Sequence, residues 1–280
     1  MNRDHVSMTL EELALFNELF SSRFGLQFPE HKREILESRL APRLRANHVQ
    51  RYLDYYLLLQ YDLLREHDAL VQAITNNESY FFREITQFEA LRDESLDALR
   101  RESASPGQLR VLSAGCSSGE EPYTLNIFLR DFSRGADGDD LVIDAVDIDT
   151  ERLAAAQRAI YRPSSLRALD DEQIERYFTR RDDDTYALRS LYRRGVHFST
   201  GNILDRGSLR PTVPYDAVFC RNVLIYFSEA ALKATIDNFA RILRPGGLLF
   251  LGHSESIIGL TTTFQAERIG QCIGYRRISD

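Results

Sequence analysis

Four residues raise the first chemical question: Gly115, Gly119, Glu120 and Glu121, in the stretch Val111 to Leu125, VLSAGCSSGEEPYTL. An apolar run feeds a glycine-bracketed loop, and Pro122 suits the first turn of a helix. Strand, glycine loop and helix start form the nucleotide cradle of α/β folds, because backbone N–H groups and the positive helix end face the ligand. A dinucleotide cradle would read GxGxxG, and a P-loop would close in Gly-Lys-Ser/Thr. This loop has neither the central glycine nor the lysine. Glu120 and Glu121 instead stand where a phosphate would require positive charge. A local explanation exists, since each carboxylate complements the helix dipole by roughly 0.3–1 kcal/mol. It does not account for a phosphate-style loop stripped of its phosphate chemistry.

A ligand with adenosine, no phosphate, a positive sulfonium and an ammonium group suits such a loop, and S-adenosylmethionine is such a ligand. The ends of the following strands agree in chain order. Asp147 closes the run LVIDAVD, where a carboxylate can accept hydrogen bonds from both ribose hydroxyls. Alternation makes Asp149 the cap of the next helix instead. The gap from Gly119 to Asp147 exceeds the usual ~20 residues, and the polar loop SRGADGDD takes up the excess. Asn202 and Ile203 follow the next strand-like run and offer adenine an amide and an apolar face. Arg221 and Asn222, ending YDAVFCRN, point at the same cleft.

The elements that must hold these residues follow from periodicity. Up to about residue 80 the pattern is helical. Thr9 and Glu12 make a capping box, followed by Leu13, Phe16, Leu19, Phe20 and Phe24 at helical spacing. A second helix, PEHKREILESRLAPRLRANHV, carries Ile35, Leu36, Leu40 and Leu44 as its stripe, with Pro42 expected to kink or divide it. Between His31 and Arg51 it holds Lys32, Arg33, Arg39, Arg43, Arg45 and Arg51 against only Glu34 and Glu37, a basic patch. Two shorter helices, RYLDYYLLLQY and HDALVQAIT, come next, then one from about Ile85 to Arg101 and the break SASPGQ. From Leu109 strands alternate with helices, which predicts a parallel, doubly wound α/β sheet. A helix, DDEQIERYF, and a hairpin-like piece, DDDTYALRSLYRR, interrupt it as an insertion at about 162–195. The expected division is a helical domain at 1–84, a linker helix and loop at 85–108, and an α/β domain at 109–280.

Composition narrows the function. The chain has 280 residues, is 43% hydrophobic, and carries a formal charge of -7, which argues against a general nucleic-acid binder. The start MNRDHVSMTLEEL lacks a signal-peptide core, and no apolar run approaches the ~20 residues of a membrane helix, so a cytoplasmic protein is expected. Cys116, Cys220 and Cys272 lie far apart without CxxC, and the six histidines are scattered, so no metal centre is expected. GHSES lacks the closing glycine of a nucleophile elbow.

The segments NNESYFFRE, SAGCSSGEEPYTL, AVDIDT, GNIL, YDAVFCRNVLIYF and RPGGLLFLGHSES together resemble the chemotaxis receptor methyltransferases of the CheR type. The resemblance covers nearly the whole chain. It implies a Rossmann-like class I methyltransferase domain with a small inserted antiparallel β-subdomain, preceded by an all-α N-terminal domain. It implies methyl transfer from S-adenosyl-L-methionine to glutamate side chains of chemoreceptors, leaving S-adenosyl-L-homocysteine. By position it also implies Asn77, Ser79, Arg83, Glu121, Asp147, Asn202, Ile203, Arg221 and Asn222 as cofactor contacts. Arg39, Arg83 and Tyr226 are implied around the methyl and the incoming carboxylate. Ser79 stands where threonine is common and keeps the hydroxyl. Family members that tether to a peptide at the receptor C-terminus carry a longer, glycine-containing loop in the inserted subdomain. TRRDDDTY is shorter and charged, so no useful affinity for such a peptide is expected.

A glutamate acceptor, with an ordinary pKa of about 4.3, is ionised at neutral pH and needs no catalytic base. The acidic methylation helices of receptors would dock on the basic helix around Lys32–Arg51. Two rivals are a methyltransferase with a nitrogen acceptor and a non-catalytic module that binds the cofactor or its product. Against the first, Arg221-Asn222-Val223 stands where amide and amino-nitrogen enzymes often carry Asn/Asp-Pro-Pro-Tyr/Phe. A nicotinamide oxidoreductase comes last, because GxGxxG is missing.

Overall fold

A computed structural model describes residues 7–104, 108–131 and 141–278. The chain separates into two compact units, one of residues up to Asn76 with Tyr226–Leu232, the other of Asn77–Ile225 with the residues from Lys233 onward. The sequence reading divided the chain at residue 84, whereas residues 77–84 pack in the second unit. Phe81 explains the difference: it is fully buried there, edge-on to Tyr161 at 4.8 Å and Phe178 at 5.0 Å.

The first unit is helical. Its α1 (Leu10–Phe24) starts at the Thr9–Glu12 capping box, buries Leu13, Phe16, Leu19, Phe20 and Phe24, and stops at Gly25. Gly25 has φ 78°, and a Cβ there would lie 2.8 Å from the Phe227 ring, so glycine meets both demands. In α2 (Arg33–Ala46) the helix runs undivided through Pro42. Pro42 and Ser38, whose carbonyl loses its helical donor, both lie on the exposed side, so the orphaned carbonyl is not buried. Ile35 leaves the expected stripe and is 49% exposed, while Glu37 joins Leu36, Leu40 and Leu44 in the interior. Glu37 is paired there, its Oε1 accepting from the Met8 N–H at 2.9 Å and the Ser7 hydroxyl at 3.1 Å. The two short helices expected next form α3 (Tyr52–Ile74), broken at Asp62 by φ −144°, ψ 59°.

The second unit opens with α4 (Thr86–Ala90), a π turn at Leu91–Ser95 and α5 (Leu96–Glu102). Then come β1 (Leu109–Ala114), α6 (Glu120–Asp131), β2 (Leu141–Asp147) and α7 (Thr150–Arg158). An insert follows: β3 (Ile160–Tyr161), α8 (Asp171–Tyr177), β4 (Phe178–Arg180) and β5 (Tyr186–Leu188), whose strands form a small antiparallel sheet in the order β3-β5-β4. The main fold resumes with β6 (Val196–Thr200), β7 (Tyr215–Cys220), α9 (Glu229–Ile242), β8 (Leu243–Leu251), β9 (Phe264–Ile269) and β10 (Cys272–Arg277).

Among the described residues the main sheet has seven strands, in the order β6-β2-β1-β7-β8-β10-β9. The strand order reverses between β1 and β7, which places the ligand crevice of a doubly wound sheet at their carboxyl ends. The sheet is mixed rather than wholly parallel, since β10 runs antiparallel to both β8 and β9. Two residues, Gly270 and Gln271, join β9 to β10, and so short a link permits only a hairpin. Phe88, Phe219 and Phe250 stack at 5.4 and 4.6 Å beneath the β1–β7 crevice.

Candidate functional site

The crevice is shaped by backbone before any side chain acts. Gly115 takes φ 78°, and a Cβ on it would sit 2.6 Å from the Val223 methyl. Its N–H and that of Cys116 both donate to the Val146 carbonyl, bending the loop over the end of β2. Gly119, at φ 90°, lets α6 start against Ala156 and Tyr161.

The two adjacent glutamates then part company. Glu120 is buried, and it accepts from the Ser118 hydroxyl at 2.8 and 3.0 Å and the Ser165 hydroxyl at 3.1 Å. It holds the loop to the inserted subdomain. Glu121 faces the crevice: Ser113 donates to its Oε1 at 2.8 Å, and Arg221 approaches its Oε2 at 3.5 Å. Burial pushes the Glu121 carboxyl above the ordinary 4.5, and Glu255 and Glu84 add to the rise against Arg221 and Ser113.

Asp147 ends β2 with one oxygen accepting from the Ser117 N–H at 2.7 Å and the other from the Asp149 N–H at 2.8 Å. Each oxygen retains acceptor capacity for a hydroxyl. Burial raises this carboxyl above its ordinary 3.8, although the N–H donors oppose it. As the alternation indicated, Asp149 caps α7, accepting from the Glu151 and Arg152 N–H groups. Its second oxygen accepts from the Asn77 amide at 3.0 Å. Asn202 and Ile203 follow β6, where the Gly201 N–H donates to the Asp147 carbonyl. Asn202 closes its own turn on the Leu204 N–H at 3.0 Å, and Ile203 is 6% exposed.

Arg221 is the cation of the crevice. Its side chain is 2% exposed, lies 4.7 Å over the Phe88 ring, and donates to the Arg83 carbonyl at 2.5 Å and Glu84 at 3.1 Å. Burial tends to raise the Glu84 carboxyl, but Arg221, His253 and Asn222 together outweigh it, so the net displacement is downward. Asn222, at φ 60°, reaches Glu84 through its amide at 3.4 Å. The segment before it carries Ser79, half-buried, and Arg83, which donates to the Glu78 carbonyl at 2.9 Å and lies 5.7 Å from the Tyr80 ring.

The second unit therefore brings together Asn77, Glu121, Asp147, Asn202, Arg221 and Asn222, with Ser79 and Arg83 on the linking segment. Arg39 and Tyr226 belong to the helical unit. Arg39 donates to the Ile74 and Thr75 carbonyls and so caps α3, while the Tyr226 hydroxyl accepts from Asn76 at 2.7 Å. Three crevice carboxylates and hydroxyls were missed by sequence reasoning: Glu84, Ser117 and Glu255. Glu84 sits inside NNESYFFRE and Glu255 inside GHSES, so the motifs contained them.

The crevice suits S-adenosylmethionine on its own terms. Ser117, 8% exposed, has a buried hydroxyl oxygen with no hydrogen-bond partner, beside the Asp147 carboxylate. With Asp147 and Glu121 it supplies acceptors for hydroxyls and positive charge, and the loop offers no phosphate counter-charge. Cys116 and Cys220 are buried free thiols, and burial pushes both well above the ordinary 9.0, so neither is a ready nucleophile. Among the described residues no helix is long and apolar enough to cross a membrane.

Family comparison agrees with this geometry over both regions. Residues 11–75 match the all-alpha domain of CheR methyltransferase, and residues 77–272 match its SAM binding domain. Chemotaxis protein methyltransferase 2 of Vibrio cholerae is 35% identical over 97% of this chain and 94% of its own length. The chemotaxis protein methyltransferases of Salmonella typhimurium and Escherichia coli are 38% and 36% identical, over 88% and 89% of this chain and 84% and 85% of theirs. With both regions matched and nearly the full length aligned, this chain belongs to the CheR methyltransferase family.

Proposed function

We propose that this chain transfers a methyl group from S-adenosylmethionine to glutamate carboxylates on the cytoplasmic methylation helices of chemoreceptors, forming methyl esters in chemotactic adaptation. The observation that carries the reading is the acid-lined, phosphate-free loop around Glu121 and Asp147 in a chain that matches both CheR domains. When bound, S-adenosylmethionine supplies an electrophilic methyl on a positive sulfur. Asp147 would hold the ribose hydroxyls, Glu121 and Asn77 the amino-acid end, and Asn202 and Ile203 the adenine. Arg221 keeps Glu84 and Glu121 in place, and Asn222 lines the same end.

The acceptor carboxylate is already ionised, so the residues have to orient it rather than activate it, and orientation alone supplies roughly 7–11 kcal/mol. Arg83, Tyr226 and Arg39 are assigned to that task. A tight ion pair to the acceptor would favour its charged ground state over a transition state in which that charge is being neutralised. Arg83, directed to a backbone carbonyl rather than a carboxylate, suits orientation.

Docking falls to the basic helix around Lys32–Arg51, and its residues have different duties. Arg43 donates three hydrogen bonds to the buried Glu66, and Arg51 pairs with Asp54. Arg45 is exposed and is available to an acidic helix, whereas the Lys32 ammonium lies 5.6 Å from the Tyr226 ring centroid. The short loop of the insert is paired within itself, Arg180 to Asp184 and Arg181 to Asp183, which supports the absence of peptide tethering.

The test incubates chemoreceptor-containing membranes with methyl-labelled S-adenosylmethionine, then treats them with mild alkali and collects methanol. Base-labile label on the receptor supports a carboxyl ester; base-stable label means a nitrogen acceptor and sinks the substrate assignment.

A further inference from the structure

The GHSES motif has no part in the chemistry described so far, yet its carboxylate holds the crevice together. The two oxygens of Glu255 accept three backbone N–H donors: Oε2 takes Gly252 at 2.6 Å and Asn222 at 2.9 Å, and Oε1 takes Ile225 at 3.1 Å. These donors belong to the end of β8 and to the loop after β7. That loop needs an anchor. Asn222 is in the left-handed region at φ 60°, which asparagine enters more readily than other residues with a side chain but which fixes where its amide and N–H point, and Arg221 and Asn222 both serve the crevice. Gly252 leaves the room: a Cβ there would meet the Asn222 amide nitrogen at 2.8 Å and Glu255 at 2.9 Å.

We infer that Glu255 is a positioning residue for methyl transfer, with its two oxygens serving different steps. Oε2 fixes Asn222 and with it the cofactor end of the crevice. Oε1 fixes the Ile225 N–H and with it the far end of the loop after β7, which carries the acceptor side of the second unit's crevice. The inference rests on the methyltransferase reading and adds a residue to it.

The asymmetry sets the test. In Glu255→Gln the single remaining oxygen serves Asn222 and Gly252, two of the three donors, while the amide nitrogen confronts the Ile225 N–H. In Glu255→Ala all three N–H groups lose their acceptor. Calorimetry with S-adenosylmethionine, label transfer to receptor membranes and thermal melting are measured on the full chain. Glu255→Gln should keep the cofactor Kd within about twofold and lower kcat about tenfold, as befits one lost charge-assisted bond. Glu255→Ala should raise the Kd about tenfold as well. A wild-type kcat in Glu255→Gln, or a fall in melting temperature with neither constant changed, would overturn the inference. Were the wild-type chain to transfer no base-labile label, the methyltransferase reading itself would fail; the Kd contrast between the two variants would still decide whether Glu255 sets the cofactor end.

Discussion

Two arginines, one in each unit, are embedded among carboxylates to opposite effect. In the helical unit Arg43 closes on a single acid, Glu66, which also accepts from the Tyr55 hydroxyl at 3.0 Å. Burial tends to raise the Glu66 carboxyl, but Arg43, Asn47 and Tyr55 together bring it below the ordinary 4.5. The pair is complete. In the second unit Arg221 is shared between Glu84 and Glu121, and burial keeps Glu121 above its ordinary value. One cation therefore serves more negative charge than it balances. The difference teaches how to tell a structural ion pair from a site: the first is satisfied within the fold, and the second leaves acceptors and charge for a cationic ligand.

Removing either arginine should expose the contrast most strongly. Arg43→Ala strands one carboxylate, Glu66, and Arg221→Ala strands two, Glu84 and Glu121, and each should cost about 3–5 kcal/mol in chemical denaturation. Their ligand behaviour should differ. Folded Arg43→Ala should bind S-adenosylmethionine as wild type does in calorimetry, and Arg221→Ala should lose measurable binding. If both lost it equally, the two sites would not differ as claimed.

Acid should separate the units by a smaller margin. The depressed Glu66 carboxyl gives the unfolded chain first claim on the proton, so its stabilisation is complete above the ordinary 4.5 and is lost as the pH falls below it. In the second unit the depressed Glu84 has the same sign as Glu66, but the raised Glu121 and Asp147 carboxyls oppose it, favouring the folded state in acid and losing that contribution as pH rises through and above their ordinary 4.5 and 3.8. Hydrogen exchange at decreasing pH should therefore show α2 and α3 losing protection before β1 and β7. Simultaneous loss would remove the distinction.

The smallest effect belongs to the exposed part of α2. Arg45→Glu should raise the receptor KM a few-fold at low ionic strength and leave it unchanged at about 1 M salt, where exposed charges are screened within about 3 Å. A KM indifferent to this reversal at low salt would make Arg45 an ordinary solvated residue.

How much of this was legible before the structure depends on the range of the interaction. The strand ends were readable because Asp147 and Arg221 close apolar runs and Asn202 follows a strand-like one, and the sheet's register brings such ends together. Asp149 was readable as a cap because capping reaches only two or three residues. Two devices escaped for the converse reason. Glu84 meets Arg221 across more than a hundred residues, and Glu255 holds backbone N–H groups that carry no sequence signature at all. In the basic patch, charge was visible but partnership was not: the pairing of Arg43 with Glu66 depends on how α3 packs on α2. The hairpin of β9 and β10 was missed because Gly270-Gln271 is a weaker turn signal than Asn-Gly or Asp-Gly.

The central claim is that Glu121 meets positive charge on the ligand, and one pair of titrations tests it. S-adenosylmethionine carries the ammonium and sulfonium, while 5′-methylthioadenosine keeps the adenosine and sulfur without either charge. Calorimetry of wild type and Glu121→Gln against both should show the first ligand weakened about tenfold by the substitution and the second unchanged. Equal weakening of both ligands, or of neither, would contradict the account.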